Sequence, residues 1–267
     1  RLAIGASLVP RTQGARAKRL YFLMNTASPE LSVILPAYEE AENLDMLLPA
    51  LHGVLKGMGI SYEIIVVDAA TPRDATPAIC ERHLVRYVSR VGGGLYGHAI
   101  RTAQTVALGR YVIMMDADGS HGPSFIPKLW ACREEAGIVV ASRYVRGGQT
   151  ENPAILILMS MVVNYVFRIC LGLRCADVSN SFRLYQGGEF RGLTLSCDHF
   201  DIVEEILIKL YFARKNYVVK EIPFTFEKRK AGKTKRKLLT FAIGYIFTLI
   251  RLRRFKKSMR KLASTHP

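Results

Sequence analysis

Short runs of apolar and β-branched residues alternate along this chain with longer stretches in which apolar positions recur every three or four residues. The short runs predict strands over 31–35, 63–67, 84–88, 111–115 and 138–141. The longer stretches predict helices over 40–58, 76–82, 96–108 and 124–135. Such alternation implies an α/β fold of Rossmann-like design around a mainly parallel central sheet. After Ser142 the regularity loosens into a glycine-containing loop over 143–153, an apolar run over 154–173, the segment DVSNSFRLY over 177–185, a helix over 201–215 and a strand over 218–226. In that last helix Asp201, Glu204 and Glu205 lie near the ligand-binding segments by the order of motifs and equally read as the first turn and the polar face of a helix, the reading we favour.

A chain of 267 residues can bury one substantial core, so a large second domain is not expected. The formal charge of +16 suggests a nucleic-acid binder until its distribution is followed. Residues 1–23 carry five Lys/Arg and no acid, and residues 228–267 carry fourteen and no acid. The intervening body has nineteen bases against twenty-two acids, so the excess belongs to the ends and no nucleic-acid partner is expected. We expect residues 1–23 to be a leader outside the fold, 24–236 a catalytic domain and 237–267 a basic, membrane-associating helix and tail.

Two apolar stretches change the picture again. Residues 238–250 (LLTFAIGYIFTLI) are uncharged and flanked by Lys235, Arg236 and Lys237 before and by Arg251, Arg253, Arg254, Lys256 and Lys257 after. Thirteen residues fall short of the ~20 that span a bilayer, whereas an apolar helix with basic flanks suits an anionic membrane surface. A helix docked on the core with a solvated tail is the alternative. The run over 154–173 is long enough to span, and we read it as a surface helix because the chain on both sides continues one catalytic unit. Five cysteines form no CxxC pair, as expected on the cytoplasmic, reducing side of a membrane.

In an open α/β sheet, ligands bind beyond the carboxyl ends of the strands. The residues placed there are Pro36, Tyr38 and Glu39 after the first strand, Asp68 after the second, and Asp116, Ala117 and Asp118 after the fourth. In MMDADGSH two carboxylates separated by one small residue stand where a buried strand meets solvent, an arrangement of hard oxygens that suits Mg²⁺ or Mn²⁺ shared with phosphate oxygens. A nucleotide-sugar transferase needs such a pair, because negative charge builds on a departing nucleoside diphosphate.

The ordered motifs SVILPAYEEAENL, EIIVVD, YVIMMDAD, ASRYVRGG, DVSNSFRLY and EIPFTFEKRKAGKTK resemble the family-two glycosyltransferases of A-type fold, and among them the dolichyl- and polyprenyl-phosphate mannosyl- and glucosyltransferases. The resemblance implies nucleotide-sugar contacts at Pro36, Tyr38, Glu39, Asp68, Asp116 and Ala117, and a metal held with the diphosphate by Asp116 and Asp118, with Ser120 the third candidate ligand. It implies that Arg143, Arg229 and Lys235 gather the phosphates of a nucleotide sugar, GDP-mannose or a UDP-hexose, and of a polyprenyl phosphate lipid. Arg143 read without the resemblance is an ordinary salt-bridging arginine. Ala69 replaces a second acid common in the family, Ser120 stands where relatives carry a metal-contacting Gln, and the helix over 154–173 is apolar until Arg168. Because a lipid monophosphate arrives largely as a dianion, the implied reaction is a single displacement with inversion and no catalytic base.

Rival readings fit less of the chain. Gly92, Gly94 and Gly97 spell the GxGxxG of a nicotinamide oxidoreductase, but after the third strand rather than the first. Gly232, Lys233 and Thr234 lack the earlier glycine of a phosphate-binding loop, since Glu227 occupies its place. A non-enzymatic basic module would use the tail alone.

Overall fold

A computed structural model of the chain describes residues 28–228 and 246–258. Arg229, Lys235, the expected leader and the rest of the expected tail lie outside the described residues. The first half is a run of strand and helix pairs: β1 (Leu31–Pro36), α1 (Ala41–Gly57), β2 (Tyr62–Asp68), α2 (Thr76–Arg82), β3 (Arg86–Ser89), α3 (Tyr96–Val106) and β4 (Tyr111–Met114). A 3₁₀ turn (Pro123–Phe125) leads into α4 (Ile126–Ala131), followed by β5 (Ile138–Ser142), β6 (Gln149–Thr150) and α5 (Ala154–Leu171). Then come β7 (Arg183–Gln186), α6 (Gly187–Arg191), α7 (Ile202–Ala213), β8 (Val219–Pro223) and β9 (Thr225–Phe226), and residues 246–258 are helical.

Seven strands form one sheet in the order β3-β2-β1-β4-β7-β5-β8, and β6 pairs with β9 beside it. All neighbours in the large sheet run parallel except β7, which is antiparallel to both β4 and β5. The strands bury both faces, as a sheet sandwiched between helices requires. Ile34, Ile65, Val67, Val112, Met114, Ile138 and Val140 face α3, α7 and the end of α5. Their alternates Val33, Leu35, Ile64, Val66, Ile113 and Val139 face α1, α2 and α4. The amphipathic α1 inserts Leu44, Leu47, Leu48, Leu51 and Leu55 at helical spacing. Asp74 caps two helices at once, accepting from the amides of Ala41 (2.8 Å) and Thr76 (3.0 Å).

The expected elements are present with several displacements. Leu84 adopts a left-handed conformation (φ 56°), so β3 begins two residues later than expected. The helix expected over 124–135 is cut to α4, because the Arg133 carbonyl accepts from Gln186 Nε2 (3.2 Å) and Gly137 N–H donates to Val218 (3.1 Å), drawing the chain into β5. The strand expected over 218–226 divides at Phe224, and β7 forms inside a segment to which no element was assigned.

The reading of Asp201, Glu204 and Glu205 as a solvated polar face is corrected: all three are buried. Glu205 accepts from the amides of Ser196 and Cys197 and pairs with Lys209 at 2.8 Å. Burial pushes this carboxyl up, but the Lys209 ammonium and those amides outweigh burial and hold it at about 2. The folded carboxyl thus stays ionised where the unfolded one, near 4.5, takes up a proton. Its stabilisation is present above pH 4.5 and fades as pH falls towards 2. Glu205→Gln should therefore lower the unfolding free energy by about 2 kcal/mol at pH 7, and urea titrations should show the deficit shrinking below pH 4.5.

Candidate active site

The site is built from the loops at the carboxyl edge of the sheet. Beyond β4 the chain makes a tight turn in which Gly119 takes a positive φ of 79°. Within it, Ser120 donates its amide to Asp118 Oδ1 (3.1 Å) and its hydroxyl to the same oxygen (2.5 Å), which orients that carboxylate. Asp116 Oδ1 accepts from the hydroxyl of Ser181 (2.9 Å) and lies 3.4 Å from that of Tyr96. The Asp116 amide donates to His121 Nδ1 (2.8 Å), so the proton of this ring sits on Nε2, which faces Asn180 Oδ1 at 3.2 Å. Burial lowers the His121 pKa and keeps the ring neutral, stacked on Phe182 at 4.8 Å. His121 is therefore a structural support for the two carboxylates rather than a metal ligand.

Among the described residues no cluster of three or more His, Cys, Asp and Glu side chains is placed to hold a metal ion. Asp116 and Asp118 offer two hard carboxylate groups at the mouth of the sheet. That donor set fits Mg²⁺ or Mn²⁺, which commonly take one or two protein carboxylates and complete their shell with phosphate oxygens and water.

On the other flank lie Pro36, Tyr38, Glu39 and Asp68. Tyr38 is half-buried under the guanidinium groups of Arg73 (5.3 Å) and Arg90 (5.9 Å), and Glu39 holds a left-handed conformation (φ 55°). Asp68 is buried; its Oδ2 receives the Tyr87 hydroxyl at 3.3 Å, while Oδ1 has no hydrogen-bond partner. Burial raises its pKa, the nearby Asp74 adds to the rise, and Tyr87 and Arg90 oppose it. An orphaned buried acceptor at the end of a strand is a candidate contact for an N–H of a ligand.

Arg143, after β5, is bound to Asp177 in a fork: Nε to Oδ2 at 2.8 Å and Nη2 to Oδ1 at 2.7 Å, with its own amide on Oδ2 at 2.9 Å. Ser160 and Ser179 adjoin the same Nη2, and the Phe226 ring lies 5.6 Å away. Nearby the Glu227 amide donates to Ser120 (3.2 Å), and the Lys228 amide donates to Glu151 (2.9 Å). Glu227, near the end of this described stretch, is thus held beside Ser120 in the turn that carries Asp118.

The profile of the glycosyl transferase family 2 matches residues 32–188, a stretch that includes every element from β1 to β7 and both carboxylates. The chain belongs to glycosyl transferase family 2. It is 32% identical over 241 residues to a dolichol-phosphate mannosyltransferase of Pyrococcus furiosus, a match covering 87% of this chain and 66% of that protein. It is 28% identical to a polyprenol monophosphomannose synthase of Mycolicibacterium smegmatis, over 76% of this chain and 79% of the other. The fold is the A-type glycosyltransferase fold. Crystal structures of Mycobacterium tuberculosis glucosyl-3-phosphoglycerate synthase share it. One with Mn²⁺, UDP and glucosyl-3-phosphoglycerate has a TM-score of 0.65 at 16% identity, covering 92% of this chain and 86% of that one. Another, with Mg²⁺ and UDP, also has a TM-score of 0.65, at 17% identity.

Within this family 2 domain the structure places Asp116, Ala117, Asp118 and Ser120 just beyond β4, Pro36, Tyr38, Glu39 and Asp68 at the ends of β1 and β2, and Arg143 just beyond β5, all at the carboxyl edge of the sheet, with the Tyr96 hydroxyl 3.4 Å from Asp116. Sequence reasoning missed Arg90, Tyr96, His121, Asp177, Asn180 and Ser181. His121 was within reach, since it ends the quoted MMDADGSH motif, whereas the roles of Asp177 and Asn180 depend on a strand reversal that spacing does not reveal. The Arg143–Asp177 pair, 8% and 0% exposed, is a buried ion pair. Arg143→Ala should cost about 3 kcal/mol by orphaning the Asp177 charge. In a double-mutant cycle with Asp177→Ala the combined loss should be smaller than the two single losses together.

Proposed function

We propose that this chain is the catalytic unit of a metal-dependent inverting glycosyltransferase that moves a hexose from a nucleotide sugar to a polyprenyl phosphate at a membrane surface. The observation that carries the reading is the Asp116–Asp118 pair at the carboxyl edge of the sheet, together with a helix that turns an apolar face outward. Ile155, Leu158, Met161, Val162, Tyr165 and Ile169 of α5 are all exposed, and 17% of the helix is buried. At 18 residues α5 is long and apolar enough to cross a bilayer, yet its inner side is committed to protein: Asn164 Oδ1 accepts the Val178 amide at 3.0 Å, and Phe167 and Leu171 enter the core. A helix anchored in the core by one narrow side and apolar on its exposed face suits the boundary of a membrane. Helix 246–258 adds exposed Ile246, Phe247 and Ile250, beside a sequence carrying Arg251, Arg253, Arg254, Lys256 and Lys257 for an anionic surface. Five free cysteines suit the cytosolic face.

In this reading Pro36, Tyr38, Glu39 and Asp68 hold the nucleoside. Asp116 and Asp118, with Ala117 leaving room between them, hold the divalent metal together with the diphosphate, and Ser120 keeps Asp118 turned to its task. The metal, when bound, neutralises charge on the leaving diphosphate. A phosphate oxygen of the acceptor forms the new bond to the anomeric carbon from the face opposite the donor diphosphate, whose C–O bond breaks and carries the electron pair away. The configuration inverts, and no proton has to be removed, because the acceptor's second pKa lies near 6. Asp201, bonded to Thr248, and Glu205, bonded to Ser196, Cys197 and Lys209, are given no part in this reaction. Arg143 is paired with Asp177, so in this reading most of the cationic charge for the two phosphate groups falls to the metal and to Arg229 and Lys235.

The test is release of GDP or UDP from each nucleotide sugar in the presence of Mn²⁺ or Mg²⁺ and detergent-dispersed polyprenyl phosphate. Lipid-dependent release is expected from one donor. Release that needs only a soluble acceptor would replace the lipid reading. Asp118→Ala should lower turnover by at least about 10²-fold with an unchanged circular dichroism spectrum, and full activity in that variant would sink the site assignment. Val162→Glu with Leu158→Glu should weaken co-sedimentation with anionic vesicles by about tenfold while leaving the melting temperature within a few degrees, since both side chains are exposed.

A further inference from the structure

The loop that begins the GxGxxG pattern binds a buried cation, Arg90, through the Gly94 carbonyl. Arg90, 5% exposed, follows β3 and directs its whole guanidinium at backbone carbonyls of the loops at the carboxyl edge of the sheet. Nε donates to Asp68 O (3.1 Å), as does the Arg90 amide (2.9 Å). Nη1 donates to Gly94 O (2.9 Å) and Leu95 O (3.3 Å), and Nη2 to Ala37 O. The ends of β1 and β2 and the loop between β3 and α3 are thereby tied to one planar group. Gly92, at φ +85°, lets that loop curl back around it.

Burying a guanidinium against neutral carbonyls is costly compared with an apolar side chain of the same size, so what Arg90 contributes is the geometry that it enforces. That geometry is specific. A planar fork can address several carbonyls at fixed angles, as a lysine ammonium cannot. The three loops it joins are those that carry Tyr38, Asp68 and Tyr96. The guanidinium also lies 5.9 Å from the Tyr38 ring, and Asp68, whose backbone it binds, has the orphaned buried Oδ1.

We propose that Arg90 is the positioning residue of the nucleoside half of the site: by holding the loops after β1, β2 and β3 at fixed spacing, it shapes the slot for the base and ribose of the donor. Arg90 itself touches no reacting atom and acts through Tyr38 and Asp68. The proposal rests on the nucleotide-sugar reading above and assigns a residue which that reading leaves out. It also accounts for the glycine pattern without a nicotinamide cofactor: Gly92 serves the wrap around Arg90, and Gly97 lets α3 pass the backbone at Cys197, where a Cβ would stand 2.2 Å from the carbonyl.

The experiment uses the full chain and calorimetric titration with two probes in Mn²⁺: GDP or UDP, whichever the wild-type protein binds, and inorganic pyrophosphate, which engages the metal and diphosphate end alone. Arg90→Lys keeps the charge and loses the fork. It should weaken the nucleotide by about tenfold and leave pyrophosphate within about twofold. In turnover, KM for the donor should rise by a like factor with kcat little changed. Gly92→Ala leaves the guanidinium in place but strains the loop it holds, and should give the same nucleotide-selective loss. Arg90→Lys with unchanged nucleotide affinity, or with nucleotide and pyrophosphate weakened in equal measure, would overturn the role of Arg90. Wild-type protein that binds pyrophosphate but neither GDP nor UDP would overturn the nucleotide-sugar reading, and this inference with it.

Discussion

β7 runs against its neighbours, and the site depends on that reversal. In a parallel sheet the residues that follow each strand reach the ligand edge, whereas a reversed strand delivers the residues that precede it. Met114 and Val140 both pair with Arg183, so the residues just before β7 stand beside the ends of β4 and β5. Ser181 there meets Asp116, Asn180 meets His121 and the Ala141 carbonyl, and Asp177 meets Arg143. A slip of one residue in this ladder would turn Phe182 towards the other face of the sheet and break every one of these contacts.

The two ends of the cleft are held in place by different means. At the carboxylate end the supports are side chains: neutral His121 between Asp116 and Asn180, Ser120 on Asp118, and an aromatic cluster in which Phe182, Phe224 and Phe226 surround the His121 ring. At the other end Arg90 binds the backbone of three segments, with Arg73 over the Tyr38 ring and the Tyr87 hydroxyl on Asp68 beside it. Both arrangements fix the surrounding backbone, and at the second end the buried Asp68 Oδ1 is left without a partner, as a preorganised site for a ligand requires.

The same segment before β7 also joins the cleft to the outer surface. Asn164 of α5 takes the Val178 amide, and Ser160 lies 3.2 Å from Ser179, so a helix whose far side is apolar and exposed is hydrogen-bonded to the loop that supports Asp116. Helix 246–258 approaches from the other side, with Thr248 on Asp201, Leu252 in the core and Lys256 on the Leu171 carbonyl. The apolar surface and the catalytic edge are therefore one packed unit.

Periodicity along the chain was enough to locate β1 to β5, α1 to α3 and α5 to within a few residues, because a strand buried on both faces and an amphipathic helix each impose a local pattern. The carboxylates of Asp116 and Asp118 were legible for the same reason, standing where an apolar strand ends. The sequence could not reveal β7, since four residues with a buried arginine carry no strand signature and their partners lie 69 and more positions away for β4. Nor could it separate Glu204 and Glu205 from a solvated face, because charge alone does not tell whether Ser196, Cys197 and Lys209 will close over it. Residue type and spacing determined the layered fold and the acidic pair at its edge. Which buried charges, Arg90, Asp177 and Arg183 among them, hold that edge in shape was decided by contacts between distant segments that exist only once the sheet has formed.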